Sequence, residues 1–247
     1  MRTLLIDADV VAYNAAFACE KATEWEPGYW TWHVEWDEVV QAFDAEVSRM
    51  MDTLDAGAFR LCLTDSEGNF RRGVDPSYKG TRSSIRKPII LKRFKDFLVQ
   101  ERGAYWRPGL EGDDCMGILA THPKLIPGEK VIVSIDKDMK TVPGLFIRWG
   151  AEGASLTEVS EEEADYWHLY QTLTGDVTDG YKGCPGVGPK KAEAILKEPA
   201  WRSVVAAYEK AGLDEDDAVI QARLARILRA SDYDFKAKRP ILWVPPD

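Results

Sequence analysis

Nine carboxylates recur where an apolar run ends or a helical pattern begins, and this placement constrains the fold more than any other feature of the chain. They are Asp7 after TLLI, Asp65 after LCLT, Glu111, Asp113 and Asp114 in EGDD, Asp136 and Asp138 after VIVSI, and Asp176 and Asp179 in GDVTD. In an open α/β sheet, residues that end different strands meet in the crevice beyond the carboxyl ends of those strands. So many acids cannot gather uncompensated, because repulsion raises their pKa values or splays the cluster unless cations bind. All-oxygen ligands suit hard ions such as Mg²⁺ or Mn²⁺. A divalent-metal site is the first expectation.

Each acid also has a local reading as a helix cap or turn residue, and for Asp9 a helix N-cap is the preferred one. Asp113 and Asp114 open a helix, where acids complement the dipole. Capping does not require the joint placement at four strand-to-helix transitions, whereas a metal site does.

The 247 residues and 45% hydrophobic content fit one large soluble domain or a main domain with a smaller one. The opening MRTLLIDADVVAYN is broken by Asp7 and Asp9, too early for a signal or membrane segment, so a cytoplasmic location is expected. Cys19, Cys62, Cys115 and Cys184 form no CxxC pair, and with only His33, His122 and His168 a zinc site lacks its usual ligands.

The net charge of −9 conceals a basic segment. From Arg71 to Arg107, eleven Lys and Arg face three acids, a local +8 that can track phosphates or form a solvated face.

Strand patterns at 2–7, 58–64, 104–106, 130–135 and 145–148 alternate with helical ones at 10–18, 37–55, after Pro88 and from Glu111. A parallel sheet flanked by helices is expected over residues 1–155, followed by a helical region over 156–247. Between the first two helices, YWTWHVEW at 29–36 alternates as an inserted hairpin strand. Its tryptophans are expected to pack, with a base-stacking platform as the alternative reading. The stretch 66–87 reads as a mobile loop.

GCPGVGPKKAEAIL, at 183–196, passes from turn residues straight into a helix. Gly186 and Gly188 let backbone approach a phosphate, and Lys190 and Lys191 add charge, which is the build of a helix-hairpin-helix. In DPSYKGTRSSIRKP, at 75–88, Lys79 and Arg82 can stabilise charge on a phosphoryl group, and Tyr78 can stack on a base. Arg86 extends the basic strip.

Five strings, LLIDAD (4–9), TDSEGNFRRGVDPSYKGTR (64–82), EGDD (111–114), SIDKDM (134–139) and LTGDVTDGYKGCPGVGPKKA (173–192), occur in the order found in the flap endonuclease and 5′→3′ exonuclease family, and the chain resembles its bacterial and phage members. The resemblance implies a PIN-like, Rossmann-like sheet followed by a three-turn variant of the helix-hairpin-helix. It implies that the nine carboxylates hold two Mg²⁺ or Mn²⁺, some through water. It also implies that Lys79 and Arg82 are active-site cations, that Tyr78 stacks on substrate, and that K⁺ sits at the hairpin turn. The implied substrate is DNA with a 5′ end or flap, RNA–DNA hybrids being an extension, in a host cytoplasm if the chain is phage-encoded.

The family's helical arch has only residues 80–110 to occupy here, with Pro88 among them. That turns the expectation from strict threading towards exonuclease action at duplex 5′ ends. Two other readings stand beside it. A haloacid-dehalogenase-like phosphatase would use LLIDAD, Ser134 and GDVTD, leaving EGDD and the glycine hairpin unexplained. A DNA-end-binding protein that had lost catalysis would gain nothing from nine anions near phosphate.

Overall fold

The computed structural model describes residues 1–80 and 86–246. Its centre is a five-stranded sheet in the order β4-β1-β5-β6-β7. β1 (Arg2–Asp7), β4 (Ala58–Cys62), β5 (Glu129–Ser134) and β6 (Gly144–Arg148) run parallel, and β7 (Thr157–Val159) closes one edge antiparallel to β6. Ile6 lies level with Leu61 on one side and Val133 on the other, so β1, β4 and β5 end together.

Successive strand residues point to opposite faces, and both faces are covered. Leu4, Ile6, Val131 and Val133 pack under α1 (Ala8–Cys19), α2 (Trp36–Thr53) and α3 (Leu91–Gln100). Leu5, Cys62 and Ile132 face α4 (Gly112–Thr121), together with Ile227 and Leu228 from the far end of the chain. Each wholly buried Leu or Ile contributes roughly 1.5–3 kcal/mol relative to an exposed one. A third core joins α5 (Glu161–Thr174), α6 (Pro189–Ile195), α7 (Trp201–Lys210) and α8 (Glu215–Ala225) through Leu173, Leu196, Val204 and Tyr208. The short strands β8 (Tyr233–Asp234) and β9 (Arg239–Pro240) follow.

Several sequence expectations need correction. α1 begins two residues early, and Asp7 rather than Asp9 is its N-cap, accepting from the Val10 N–H at 3.4 Å. Asp9 instead accepts from the Thr64 N–H at 2.8 Å and pairs with Lys95 at 2.6 Å. The 104–106 stretch supplies an isolated bridge, Cys62 to Tyr105, because the chain turns back at once toward α4. Part of the expected loop forms a short 3-10 turn at Phe70–Gly73. α3 lies in the core through Leu91, Phe94 and Leu98, so these residues are unavailable to an arch.

The hairpin of β2 (Lys21–Glu26) and β3 (Tyr29–His33) exists, but every residue in its strands is exposed. Trp36, which the alternation grouped with the strand, starts α2 and packs edge-on against Phe94 and Phe97. All four cysteines are free thiols, and no described helix is long and apolar enough to cross a membrane.

Candidate active site

The carboxyl ends of β1 and β5 bring the first acids together. Asp7 closes β1 and Ser134 closes β5, and the Ser134 hydroxyl donates to Asp7 Oδ2 at 3.0 Å. The same hydroxyl oxygen accepts from the Asp136 N–H at 3.1 Å, which turns the chain so that Asp136 follows the strand end. Asp136 Oδ1 then accepts from the Asp138 N–H at 2.8 Å, starting a short 3-10 turn.

Burial and repulsion from Asp9 push the Asp7 carboxyl up to about 7, against the opposing Ser134 hydrogen bond. Asp113, on the first turn of α4, is raised well above the carboxylate range by burial and by the charges of Asp7 and Asp136. Burial, with Asp136 and then Asp176 and Asp179, pushes Asp138 up to about 7. Two overlapping acidic groups share Asp136: one contains Asp7 and Asp113, the other Asp138, Asp176 and Asp179. Among the described residues, no three such groups stand close enough to close on one ion as placed.

A tight loop delivers Asp176 and Asp179. Asp176 Oδ1 accepts from the N–H groups of Thr178 and Asp179 at 2.6 and 3.0 Å, and Asp176 and Tyr181 pair as an isolated bridge. Gly175 (φ +66) and Gly183 (φ +64) meet backbone to backbone at its neck. A Cβ on Gly175 would lie 2.4 Å from the Lys182 carbonyl carbon, so the neck closes only with glycine.

Two cations, Lys79 and Arg71, hold Glu111, Asp114 and Asp179. Lys79 takes a left-handed conformation (φ +54), donates its N–H to the Asp179 carbonyl at 2.8 Å, and sends its ammonium to Glu111 and to Asp179 Oδ2, the latter at 3.3 Å. Burial opposes the Lys79 charge, but Glu111 and Asp179 outweigh it and hold the ammonium firmly protonated. Burial likewise works against the Glu111 carboxylate, and Arg71 and Lys79 overcome it and lower its pKa.

Two sequence expectations, for Asp114 and Tyr78, change here. Asp114 is wholly buried and receives Arg71 through two hydrogen bonds of 2.8 Å, with the Leu228 and Glu111 N–H groups on the same oxygens. Its lone pairs are spent on a structural pair, so it is not placed to bind metal. Tyr78 is 2% exposed, and its hydroxyl lies 3.0 Å from Glu111 Oε2 and 2.9 Å from Asp179 Oδ2. A ring so enclosed cannot stack on a base; it braces the two acids instead. Asp65 is engaged locally, accepting from Glu67 N–H at 3.0 Å and Gly109 N–H at 2.7 Å. Arg82 lies outside the described residues.

In the sequence Arg71 stands only within the basic strip, and Ser134 enters only through the phosphatase alternative. Nothing in the string FRRG separates a buried arginine from an exposed one. Arg86 is exposed, paired with Glu20 and set over the Trp32 ring at 4.9 Å. At the glycine hairpin, Gly186, Gly188, Lys190 and Lys191 are all exposed, and the Lys191 ammonium closes the turn on the Gly186 carbonyl at 2.7 Å.

The donor set fits hard divalent cations: oxygen ligands only, at least three with pKa values raised by burial and mutual repulsion, and no thiol or imidazole among them. No family model matches the chain. It is 33% identical to the exonuclease of Escherichia phage T7, over 98% of this chain and 93% of that protein. It is 31% identical to the flap endonuclease Xni of Vibrio campbellii, over 69% of this chain and 71% of that one. Among solved structures, the bacteriophage T5 flap endonuclease in a pseudo-enzyme–product complex with DNA and metal ions superposes with a TM-score of 0.62 at 13% identity, covering 91% of this chain and 90% of that one.

Proposed function

The chain belongs to the family of phage 5′→3′ exonucleases and flap endonucleases, and from that premise we propose how its own residues carry out the reaction. It is a metal-dependent nuclease that hydrolyses DNA from 5′ ends and at flaps. The observation that carries the site assignment is the gathering of Asp7, Asp113 and Asp138, their carboxyls raised by burial and by the charges of Asp136, Asp176 and Asp179, at the carboxyl end of the sheet.

We propose that Asp7, Asp113 and Asp136 hold one Mg²⁺ or Mn²⁺ and Asp138, Asp176 and Asp179 a second, with Glu111 and Asp65 acting through water. When bound, such a pair activates a water and stabilises the leaving oxygen. Lys79 is kept charged by Glu111 and Asp179 and offsets the charge of the scissile phosphate. Arg82 is assigned the same role from the family motif. Arg71 and Tyr78 position Glu111 and take no part in the chemistry.

The helices α5–α8 are assigned to duplex binding, whereas β7, Ile227 and Leu228, which the sequence pattern places beyond the sheet domain, belong to the sheet and its core. The exposed turn at Gly186 and Gly188, with Lys190, offers backbone and charge to phosphates without reading bases. Lys191 closes that turn, and K⁺ at the same turn follows from the family pattern. RNA–DNA hybrids are a further substrate of this reading.

The test uses a blunt duplex, a 5′ overhang and a 5′ flap, each labelled at the 3′ end, in Mg²⁺ or in EDTA. A Mg²⁺-dependent ladder shortening from the 5′ side is expected on all three, strongest on duplex ends. Absence of cleavage in both Mg²⁺ and Mn²⁺ would return the weight to a catalytically silent DNA-end binder. Formation of an acyl-phosphate on Asp7 would instead restore the phosphatase reading.

A further inference from the structure

The β2–β3 hairpin carries large rings that the protein leaves in water: Trp25 is 67% exposed, Tyr29 65%, Trp30 43% and Trp32 38%. Soluble domains rarely leave such a group uncovered without using it. Strand alternation puts Trp30 and Trp32 on one face of the ribbon, with Ala22 and Glu24 opposite them across the pairing. Thr31 points to the other face, and the Trp25 indole N–H donates to the Thr31 hydroxyl at 2.9 Å, so Trp25 belongs to that other face.

The hairpin stands on the acid side of the sheet. α2 runs from the hairpin down to the amino end of β1, where the Gly57 N–H just beyond it meets the Arg2 carbonyl at 3.0 Å. α2 is 18 residues long, about 27 Å, and β1 is six, about 20 Å, so the start of α2 overshoots the carboxyl end of β1. α1 follows its N-cap Asp7 and carries the chain out to the hairpin over 12 residues, or about 18 Å.

The neighbouring surface is basic. The guanidinium of Arg86 lies 4.9 Å over the Trp32 ring, and that of Arg93 5.1 Å over Trp36. Lys87 and Lys92 are exposed beside them. Of the acids around the hairpin, Glu20 is paired with Arg86, Glu24 on the tryptophan face accepts from the Gly28 N–H at 3.1 Å, Glu35 pairs with His33 at 2.8 Å, and Glu26 is exposed at the end of β2. Planar rings next to cations that can follow a phosphate backbone match the chemistry of a single nucleic-acid strand.

We propose that the Trp30/Trp32 face of the hairpin, with Arg86, is a stacking site for bases of single-stranded DNA on the approach to the acidic cluster. The site deepens the nuclease reading and rests on it for the meaning of the bound strand. Its binding is tested without cleavage.

The experiment is an anisotropy titration of a labelled oligothymidine of about 12 nucleotides, a length within the range such platforms occupy, in EDTA. The expected result is that Trp30→Ala/Trp32→Ala weakens binding by about tenfold or more, since each stacked base is worth roughly a factor of ten. Trp25→Ala, on the opposite face, binds as the wild type does. Arg86→Ala weakens binding several-fold and lowers the slope of log affinity against log salt by about one. Unchanged affinity in the double variant overturns the proposal, as does an equal loss in Trp25→Ala. Wild-type cleavage of a blunt duplex in Mg²⁺ is scored separately, so failure of the nuclease reading is distinguishable from failure of the stacking site.

Discussion

Arg71 and Asp114 form a two-pronged ion pair with both hydrogen bonds at 2.8 Å, the arginine 2% exposed and the aspartate not exposed at all. The pair locks the turn before the YKG segment to the first turn of α4, and Arg71 also donates to the Leu224 carbonyl at 3.0 Å, tying in α8. Removing one partner leaves the other charge buried. Arg71→Ala or Asp114→Ala is expected to cost about 3–5 kcal/mol of stability, a fall in Tm on the order of 10 °C, read by thermal melting. Stability unchanged within error would show that the pair is not the clamp its geometry describes.

Asp136 is the acid common to both groups of the cluster. Asp136→Ala is expected to reduce Mg²⁺-dependent cleavage by more than about 100-fold, beyond the 10–100-fold typical of groups behind the ligands, while affinity for duplex DNA is kept. Single-turnover cleavage and a binding titration on the same variant separate the two effects. Wild-type turnover would remove Asp136 from the metal site.

Metal binding should itself stabilise the fold, because it neutralises carboxylates that repel one another. Mg²⁺ at 100 times its dissociation constant adds about 2.7 kcal/mol, and the melting temperature should climb accordingly. In Asp136→Ala most of that rise is expected to vanish, measured by scanning calorimetry with and without EDTA.

His168 is 2% exposed, and its Nε2 lies 2.8 Å from the Ala222 carbonyl oxygen. Burial, reinforced by the nearby Arg226 charge, pushes its pKa down to about 3, below the ordinary 6.5. The unfolded chain therefore binds the extra proton first, so this contribution to stability is full above pH 6.5 and is lost as pH falls towards 3. By pH 4 the loss is about 3 kcal/mol. Urea melts at pH 7 and pH 4 should show a smaller acid loss in His168→Gln than in the wild type; equal losses would refute the assignment.

Gly175 closes the neck of the loop that delivers Asp176 and Asp179, at φ +66 against the Lys182 backbone. Gly175→Ala must displace backbone as well as bear a left-handed alanine, at a cost of about 1–3 kcal/mol or more. Cleavage should fall more than duplex binding does, because the acids move while the exposed Gly186–Lys190 turn stays. A variant with wild-type kcat would show that the neck tolerates a side chain.

Periodicity and punctuation carried the sheet and its helices into view: β1, β5, β6 and α2 lie within a residue or two of their expected bounds. The apolar alternation of a strand and the 3.6-residue stripe of a helix are local, and local patterns survive in a string of letters. The acids at strand ends were visible for the same reason, because chain direction alone sends parallel strand ends to one edge of the sheet. Which acid does what was not local. Asp113 and Asp114 are neighbours in sequence, yet one faces Asp7 and Asp136 while the other is consumed by Arg71, 43 positions away. Tyr78 could have been a stacking ring until the fold buried it between Glu111 and Asp179. The tryptophans of the hairpin read as core because alternation shows only that a strand has two faces. Whether anything covers one of them is decided by packing between distant segments, and there only the tertiary structure could answer.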